Sequence, residues 1–309
     1  MRKGKNLTLT IFILLLITVG CTSQTTTKKT KDIDVRVGLN GLVLEFLKNT
    51  PPLKIFETDT FPVIIKVKNN GAYSIQGQET AFLSLGFEKD YTRTIQLQEG
   101  GRVKVLPYSN NIAFFNIEGK SNINIKGEEE VISYSLQAGN IDPQSEAHPS
   151  TVTAVLCYPY KTQLDTAVCI DPDISNIRPG KKACKMQDLA FSNGQGAPVA
   201  ITKIEVSMLP SIAEQGQESK NIIPQFLLFI ENRGQGTVIK KDKVNEFCKQ
   251  STTLHQDINI VNIQASLSGK TLDCRKDKRD AELKEIKIED AFIKLKDKKE
   301  LARCTLMEG

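Results

Sequence analysis

Apolar positions along the chain recur mostly in steps of two. Ser121-Asn-Ile-Asn-Ile-Lys126, Glu130-Val-Ile-Ser-Tyr-Ser-Leu136 and Thr151-Val-Thr-Ala-Val-Leu-Cys157 all alternate in this way. Alternation puts the apolar side chains on one face of an extended strand, so these stretches predict half-buried β structure. Two denser runs share a grammar: Phe61 to Gly71 and Pro224 to Gly234 are apolar strands that end in Asn-X-Gly, as Asn69-Asn70-Gly71 and Asn232-Arg233-Gly234. Upstream of each lies another strand-like run, Gly41 to Leu47 and Ala200 to Met208, followed by a Pro-containing connection. The self-similarity predicts a repeated module, each strand ending in a turn where Asn and Gly accept positive φ. Helical periodicity is scarce. Its best stretch, Asp280 to Phe292, contains Ile286-Lys287-Ile288, and Phe292 to Cys304 reads as strand, charged turn, strand, a terminal hairpin.

The N-terminus follows other rules. Arg2, Lys3 and Lys5 precede an uncharged apolar run from Leu7 to Val19, which is shorter than the ~20 apolar residues of a spanning helix and has the layout of an export signal. Thr18-Val19-Gly20-Cys21 resembles a bacterial-type lipobox, with Thr18 where Leu is usual. That resemblance implies a cleaved signal peptide over 1–20 and a lipid on Cys21. Thr22 to Lys31 is polar throughout, too poor in apolar groups to offset the entropy of ordering itself, so residues 21–32 are expected to be a flexible tether.

About 290 further residues exceed what one core commonly serves. The Pro- and Gly-rich stretch Asp171 to Pro198 divides them, giving a first domain over 33–175, a linker over 176–196 and a second domain over 197–309. Loss of residues 1–20 removes three basic and no acidic residues, so the net charge falls from +5 to +2. A nearly neutral chain lacks the basic face that nucleic-acid binding needs. The lysines of 270–299 alternate with acidic residues, as on a solvated surface.

The segments VIIKVKNNGAYSI and FLLFIENRGQGTVI resemble the strand-plus-Asn-X-Gly signature of CARDB-like and related immunoglobulin-like modules. The resemblance implies two tandem β-sandwiches, with Asn69, Asn70, Gly71, Asn232 and Gly234 at their signature turns. It also implies adhesion, spacing or scaffolding roles, and it carries over no catalytic residue. The polar insertion Gln76 to Gly101 and the Cys-rich ends depart from the pattern.

Apart from Cys21 the chain has six cysteines, Cys157, Cys169, Cys184, Cys248, Cys274 and Cys304. An even number in an exported chain predicts disulfides, with 15 connectivities open to six cysteines. Cys157 and Cys169 flank a polar turn around Thr162 to Asp165 and are expected to pair across a hairpin. Cys274 with Cys304 and Cys184 with Cys248 complete that scheme. Zinc ligation finds no Cys-X-X-Cys and only His148 and His255. A calcium loop at Asp171-Pro-Asp173 fails because Asn176 and Lys182 stand where Gly and Glu are required. Gly269-Lys270-Thr271 lacks the first glycine of a phosphate loop, and both histidines lie in polar segments without a nucleophile motif. Tyr158 and Tyr160 alternate on the Cys157 strand, as a contact patch or as core tyrosines.

The sequence therefore predicts a mostly β, membrane-anchored protein of the cell envelope or cell surface, non-catalytic and without cofactor or metal. Its partners are expected to be membrane lipid, through the N-terminal anchor, and other envelope proteins. The alternative is a ligand-binding or accessory lipoprotein of a transport or secretion system.

Overall fold

The computed structural model describes residues 34–99, 101–106, 109–173, 180–212, 218–250, 255–275 and 291–306. The signal segment, Cys21 and the tether lie outside these residues, as does nearly all of the helix candidate 280–292. The fold is mostly β, in antiparallel sheets, as the alternation predicts. The described residues gather into one compact unit.

Two four-stranded sheets enclose the first core. The strands β1 (Leu42–Phe46), β2 (Thr60–Asn69), β7 (Glu129–Ala138) and β4 (Thr92–Leu97) form one sheet in the order β1-β2-β7-β4. The other runs β5-β6-β3-β8, from β5 (Lys104–Leu106), β6 (Ser109–Phe115), β3 (Ala81–Gly86) and β8 (Thr153–Cys157). In β2 the alternation is strict: Phe61, Val63, Ile65, Val67 and Asn69 all point inward and are buried. They meet Leu83, Leu85 and Phe115 from the facing sheet, with Tyr134 of β7 between them. Pro62 is tolerated inside β2 because β1 stops at the Phe46–Ile65 pair, so no β1 neighbour stands beside it.

The second core lies on one face of a six-stranded sheet, ordered β13-β14-β16-β11-β10-β9. Its strands are β9 (Leu189–Ala190), β10 (Val199–Ile212), β11 (Glu218–Asn232), β13 (Ser266–Leu267), β14 (Lys270–Asp273) and β16 (Lys299–Leu306). Two short strands, β12 (Ile260–Asn262) and β15 (Phe292–Lys294), pair with each other, and Ile293 and Leu295 join Val206, Phe226, Leu228 and Cys304 in the core. Leu164, Val168 and Ile170 pack on it from the segment after β8. A third, small cluster sits on the outer face of β3 and β8, where the short helix α1 (Val244–Gln250) lays Val244, Phe247 and Cys248 against Phe82, Ile112 and Cys157.

Two local expectations change. Ser121 to Lys126 is a loop: the Ser121 hydroxyl accepts the Asn124 N–H at 3.0 Å, and Ile123 stands fully exposed. The side chain thus closes a turn where alternation alone suggests a strand. The terminal hairpin exists at its tip, where Asp297 and Lys298 take φ of 47° and 69° and Lys296 and Lys299 exchange both backbone hydrogen bonds at 2.8 Å. Beyond that bridge the strands part, β15 going to β12 and β16 to β11 and β14.

Candidate functional site

The two Asn-X-Gly signatures share the same pair of asparagine side-chain bonds. Asn69 Oδ1 accepts the Gly71 N–H at 3.1 Å, and its Nδ2 donates to Tyr73 O at 2.7 Å. Asn232 Oδ1 accepts the Gly234 N–H at 3.1 Å, and its Nδ2 donates to Gly236 O at 2.9 Å. Both asparagines are buried at strand ends, so each side chain supplies partners that a sheet cannot give to the turn that follows. The flanking register repeats as well. The N–H groups of Asn70 and Arg233 donate to Gly41 O (2.9 Å) and Pro198 O (2.8 Å), while those of Asn69 and Asn232 donate to Glu128 O (3.0 Å) and Lys298 O (2.8 Å).

The expected reason for the signature needs correction. None of Asn69, Asn70, Gly71, Asn232 and Gly234 has positive φ. Gly71 is required by close approach: a Cβ there would lie 1.8 Å from the Tyr160 hydroxyl and 2.3 Å from Gly196 O.

That contact opens onto the junction between the two cores. The Tyr160 hydroxyl lies 3.1 Å from Gly196 O and 3.3 Å from Asn69 Oδ1, two acceptors sharing one proton, and it accepts the Tyr73 N–H at 3.4 Å. Tyr73 and Tyr158 each meet Tyr160 edge to face at 5.6 Å, a favoured aromatic geometry. The Tyr158 hydroxyl donates to Leu42 O at 3.4 Å. From the other side comes the Gly-rich stretch, buried over Gly194 to Ala197. Gly196 N–H donates to Gly38 O (2.9 Å), and Gly196 O accepts the Ala72 N–H (3.0 Å). Gln195 works as a surrogate strand, accepting the Ile201 N–H and donating to Ile201 O at 3.0 and 3.1 Å, beside the register shift after Ile201. Thr162 donates its hydroxyl to Val199 O, and Arg36 pairs with Asp165. The Tyr158–Tyr160 pair is thus a junction element, packed between the halves.

The junction shifts its titratable groups in consistent directions. Burial pushes the Tyr160 and Tyr158 phenols up, because the charged form loses its water. Tyr73 is pushed up to about 12 by burial and by donation to the Glu79 carboxylate. Asp165 is held below the ordinary carboxylate range by the Arg36 guanidinium.

All six candidate cysteines pair, with connectivity Cys157–Cys248, Cys169–Cys184 and Cys274–Cys304. Cys274–Cys304 is as expected; Cys157–Cys169 and Cys184–Cys248 are not. The hairpin argument fails because the chain after Cys157 does not turn back. It passes through Tyr158 and Tyr160 into the second core, and Cys157 is met instead by α1, with Cα atoms 6.0 Å apart across the bond. Cys169 and Cys184 close a short local loop.

The remaining candidates resolve into structural roles. Lys182 Nζ sits 2.5 Å from Asp171 Oδ2 and 3.0 Å from Asp173 O, so an ammonium occupies the place a calcium reading would fill. Ser268 and Gly269, with φ of 51° and 83°, form the two-residue turn of the β13–β14 hairpin, which accounts for the Gly-Lys-Thr triplet. His255 begins a short 3-10 turn. Among the described residues, no group of three or more His, Cys, Asp or Glu gathers as metal ligands.

His148 belongs to a second feature, at the opposite end of the first sandwich. Its Nε2 lies 2.7 Å from Glu88 Oε2 and its ring stacks on Tyr91 at 3.8 Å. The Tyr91 hydroxyl donates to Asp142 at 2.9 Å, the Ile141 N–H to Glu57 at 2.7 Å, and Gln137 to Thr58 O at 3.0 Å. These bonds bind the loops after β1, β3 and β7 into one surface, crowned by a fully exposed Leu53 and by Phe56 at 80% exposure. Sequence reasoning passed over this surface, although Pro51-Pro52-Leu53-Lys54-Ile55-Phe56 carries the signal: apolar side chains in a turn-rich segment. Scans against protein-family models and curated proteins return no match to the chain.

Proposed function

We propose that the protein is a non-catalytic scaffold of the cell envelope, exported, anchored through a lipid on Cys21, and built from two immunoglobulin-like modules that act through protein–protein contacts. The carrying observation is the junction, where Tyr73, Tyr158, Tyr160 and Gly194 to Ala197 pack and hydrogen-bond the halves together. A unit held in that way serves as a rigid spacer that presents its far end, and the far end carries the Leu53–Phe56 loop.

Three disulfides support an oxidising compartment. The order β1-β2-β7-β4 with β3 beside β8 parallels the A-B-E-D and C-F neighbours of an immunoglobulin-type sandwich, and next to Asn232 β10-β11-β16 repeats the register that β1-β2-β7 has next to Asn69. Among the described residues no helix is long and apolar enough to cross a membrane, so anchoring rests on the N-terminal signal.

A photo-reactive aromatic residue placed at Phe56 tests the reading in the native envelope. Protein adducts that vanish when Leu53 is changed to Asp are expected. Adducts confined to lipid or to small molecules overturn the scaffold reading.

A further inference from the structure

Open sheet edges invite pairing with another chain, and proteins guard them with charge, proline or brevity. Edge strands β1, β4 and β5 carry Glu45, Arg93 and Lys104, and β9 and β13 are two residues long. β8 has none of these guards. It closes its sheet beside β3 alone among the described strands, and Ser150 to Cys157 contains neither a charge nor a proline.

The flank beneath this edge is also open. On the other flank of the sandwich Leu97 of β4 and Val103 are buried. On the β8 flank the inward-facing Ala154 and Leu156, with Leu44 and Phe46 of β1, are only partly buried against the same core. β1 and β8 border one seam, since Tyr158, just past β8, reaches Leu42 O. Val155, facing outward, is 50% exposed.

We infer that β8 pairs antiparallel with β8 of a second copy of this chain, about a two-fold axis near Val155, joining two four-stranded sheets into one. A second copy fits because the edge is self-complementary. An antiparallel pair centred near Val155 sets only uncharged residues opposite one another, Ala154 of each copy beside Leu156 of the other, and no like charges meet. The same symmetry brings both open seams together and covers Leu44, Phe46 and Leu156, as an isologous interface requires.

Sedimentation velocity of the oxidised full chain in detergent, across a concentration series, tests this directly. A reversible monomer–dimer equilibrium is expected. Val155→Lys and Thr153→Lys should each weaken it by about tenfold or more, because each sets two ammonium groups near one strand pair. Val131→Lys, at an equally exposed valine (56%) on the outer face of the other sheet, should leave it unchanged. Near-UV circular dichroism confirms that each variant is folded, and Thr153→Lys stands in if Val155→Lys is not. A chain monomeric at every concentration overturns the inference. So do lysine variants on β8 that dimerise like the wild type, or a Val131→Lys variant that weakens the dimer equally.

Discussion

Asn69 and Asn232 stand 163 residues apart and make the same two hydrogen bonds: each Oδ1 accepts the N–H two residues on, and each Nδ2 donates to the carbonyl four residues on. They differ in one respect. Asn69 Oδ1 also lies within reach of the Tyr160 hydroxyl at 3.3 Å, and Asn232 has no such aromatic neighbour among its described bonds.

That difference orders two substitutions. Asn69→Ala strands Tyr73 O and the Gly71 N–H and loosens Tyr160, so its expected cost is about 2–4 kcal/mol, since each buried group left unpaired costs about 1–3 kcal/mol. Asn232→Ala strands Gly236 O alone, because the Gly234 N–H keeps Pro198 O at 3.1 Å, so about 1–3 kcal/mol is expected. Urea unfolding midpoints at constant slope measure both. Losses below half a kcal/mol at Asn69 would show that the turn, not its side chain, holds the motif.

Gly71 and Gly236 separate close approach from mere turn propensity. A Cβ on Gly71 meets the Tyr160 hydroxyl at 1.8 Å and Gly196 O at 2.3 Å, whereas one on Gly236 meets nothing within 4 Å. Gly71→Ala is therefore expected to destabilise by about 3 kcal/mol or more, in the range of overpacked interiors. Gly236→Ala should stay within about 0.5 kcal/mol of the wild type. Hydrogen exchange should place the damage of Gly71→Ala at the Gly196 and Ala72 amides, and equal effects at both glycines would refute the close-approach account.

The strands were the legible part of this fold, because burial acts every second residue and leaves its period in the chain. β7 and β8 lie where alternation puts them, and β2 and β10 where the apolar runs put them. The Asn-X-Gly repeat was legible too, though for the wrong reason, since a sequence shows a glycine without showing whether φ or a neighbour demands it. What could not be read were relations between distant segments. Cys157 met Cys248 because α1 folds back onto the outer face of β3, a contact spanning 91 residues, and no local pattern records it. Tyr160 and Gly196 are polar-tipped or featureless alone; only the fold brings a phenol to that carbonyl. Ile123 misled because Ser121 closes a turn by a side-chain bond that competes with strand formation.

The Cys157–Cys248 bond fastens α1 to the first sandwich. Proteolysis without reduction is expected to yield three linked peptide pairs, 157 with 248, 169 with 184, and 274 with 304. Replacing both Cys157 and Cys248 with Ser opens a loop of 91 residues, for which the chain-entropy model gives about 4–5 kcal/mol. Opening Cys169–Cys184, with a separation of 15, should cost about 3 kcal/mol. The larger loss belongs to the longer loop, and the reverse order would place the stabilisation in local packing.

Alkali should act on the junction together with the first core, where burial also pushes the Tyr134 phenol up. Tyr73, Tyr158 and Tyr160 all have phenols pushed above the ordinary value, the first up to about 12, while in the unfolded chain each ionises near the ordinary tyrosine value of about 10. Below that value both states hold the proton and stability is unaffected. Between it and the folded value the unfolded chain releases protons that the fold retains, so stability falls as pH rises through this window. Melting temperature should therefore decline steeply above about pH 10, with phenolate absorbance appearing together with unfolding. Tyr160→Phe removes one such proton and should flatten that decline, while lowering stability at neutral pH by about 1–3 kcal/mol through the unpaired Tyr73 N–H. A melting temperature that falls equally steeply in Tyr160→Phe and the wild type would show that Tyr160 does not couple the junction to stability.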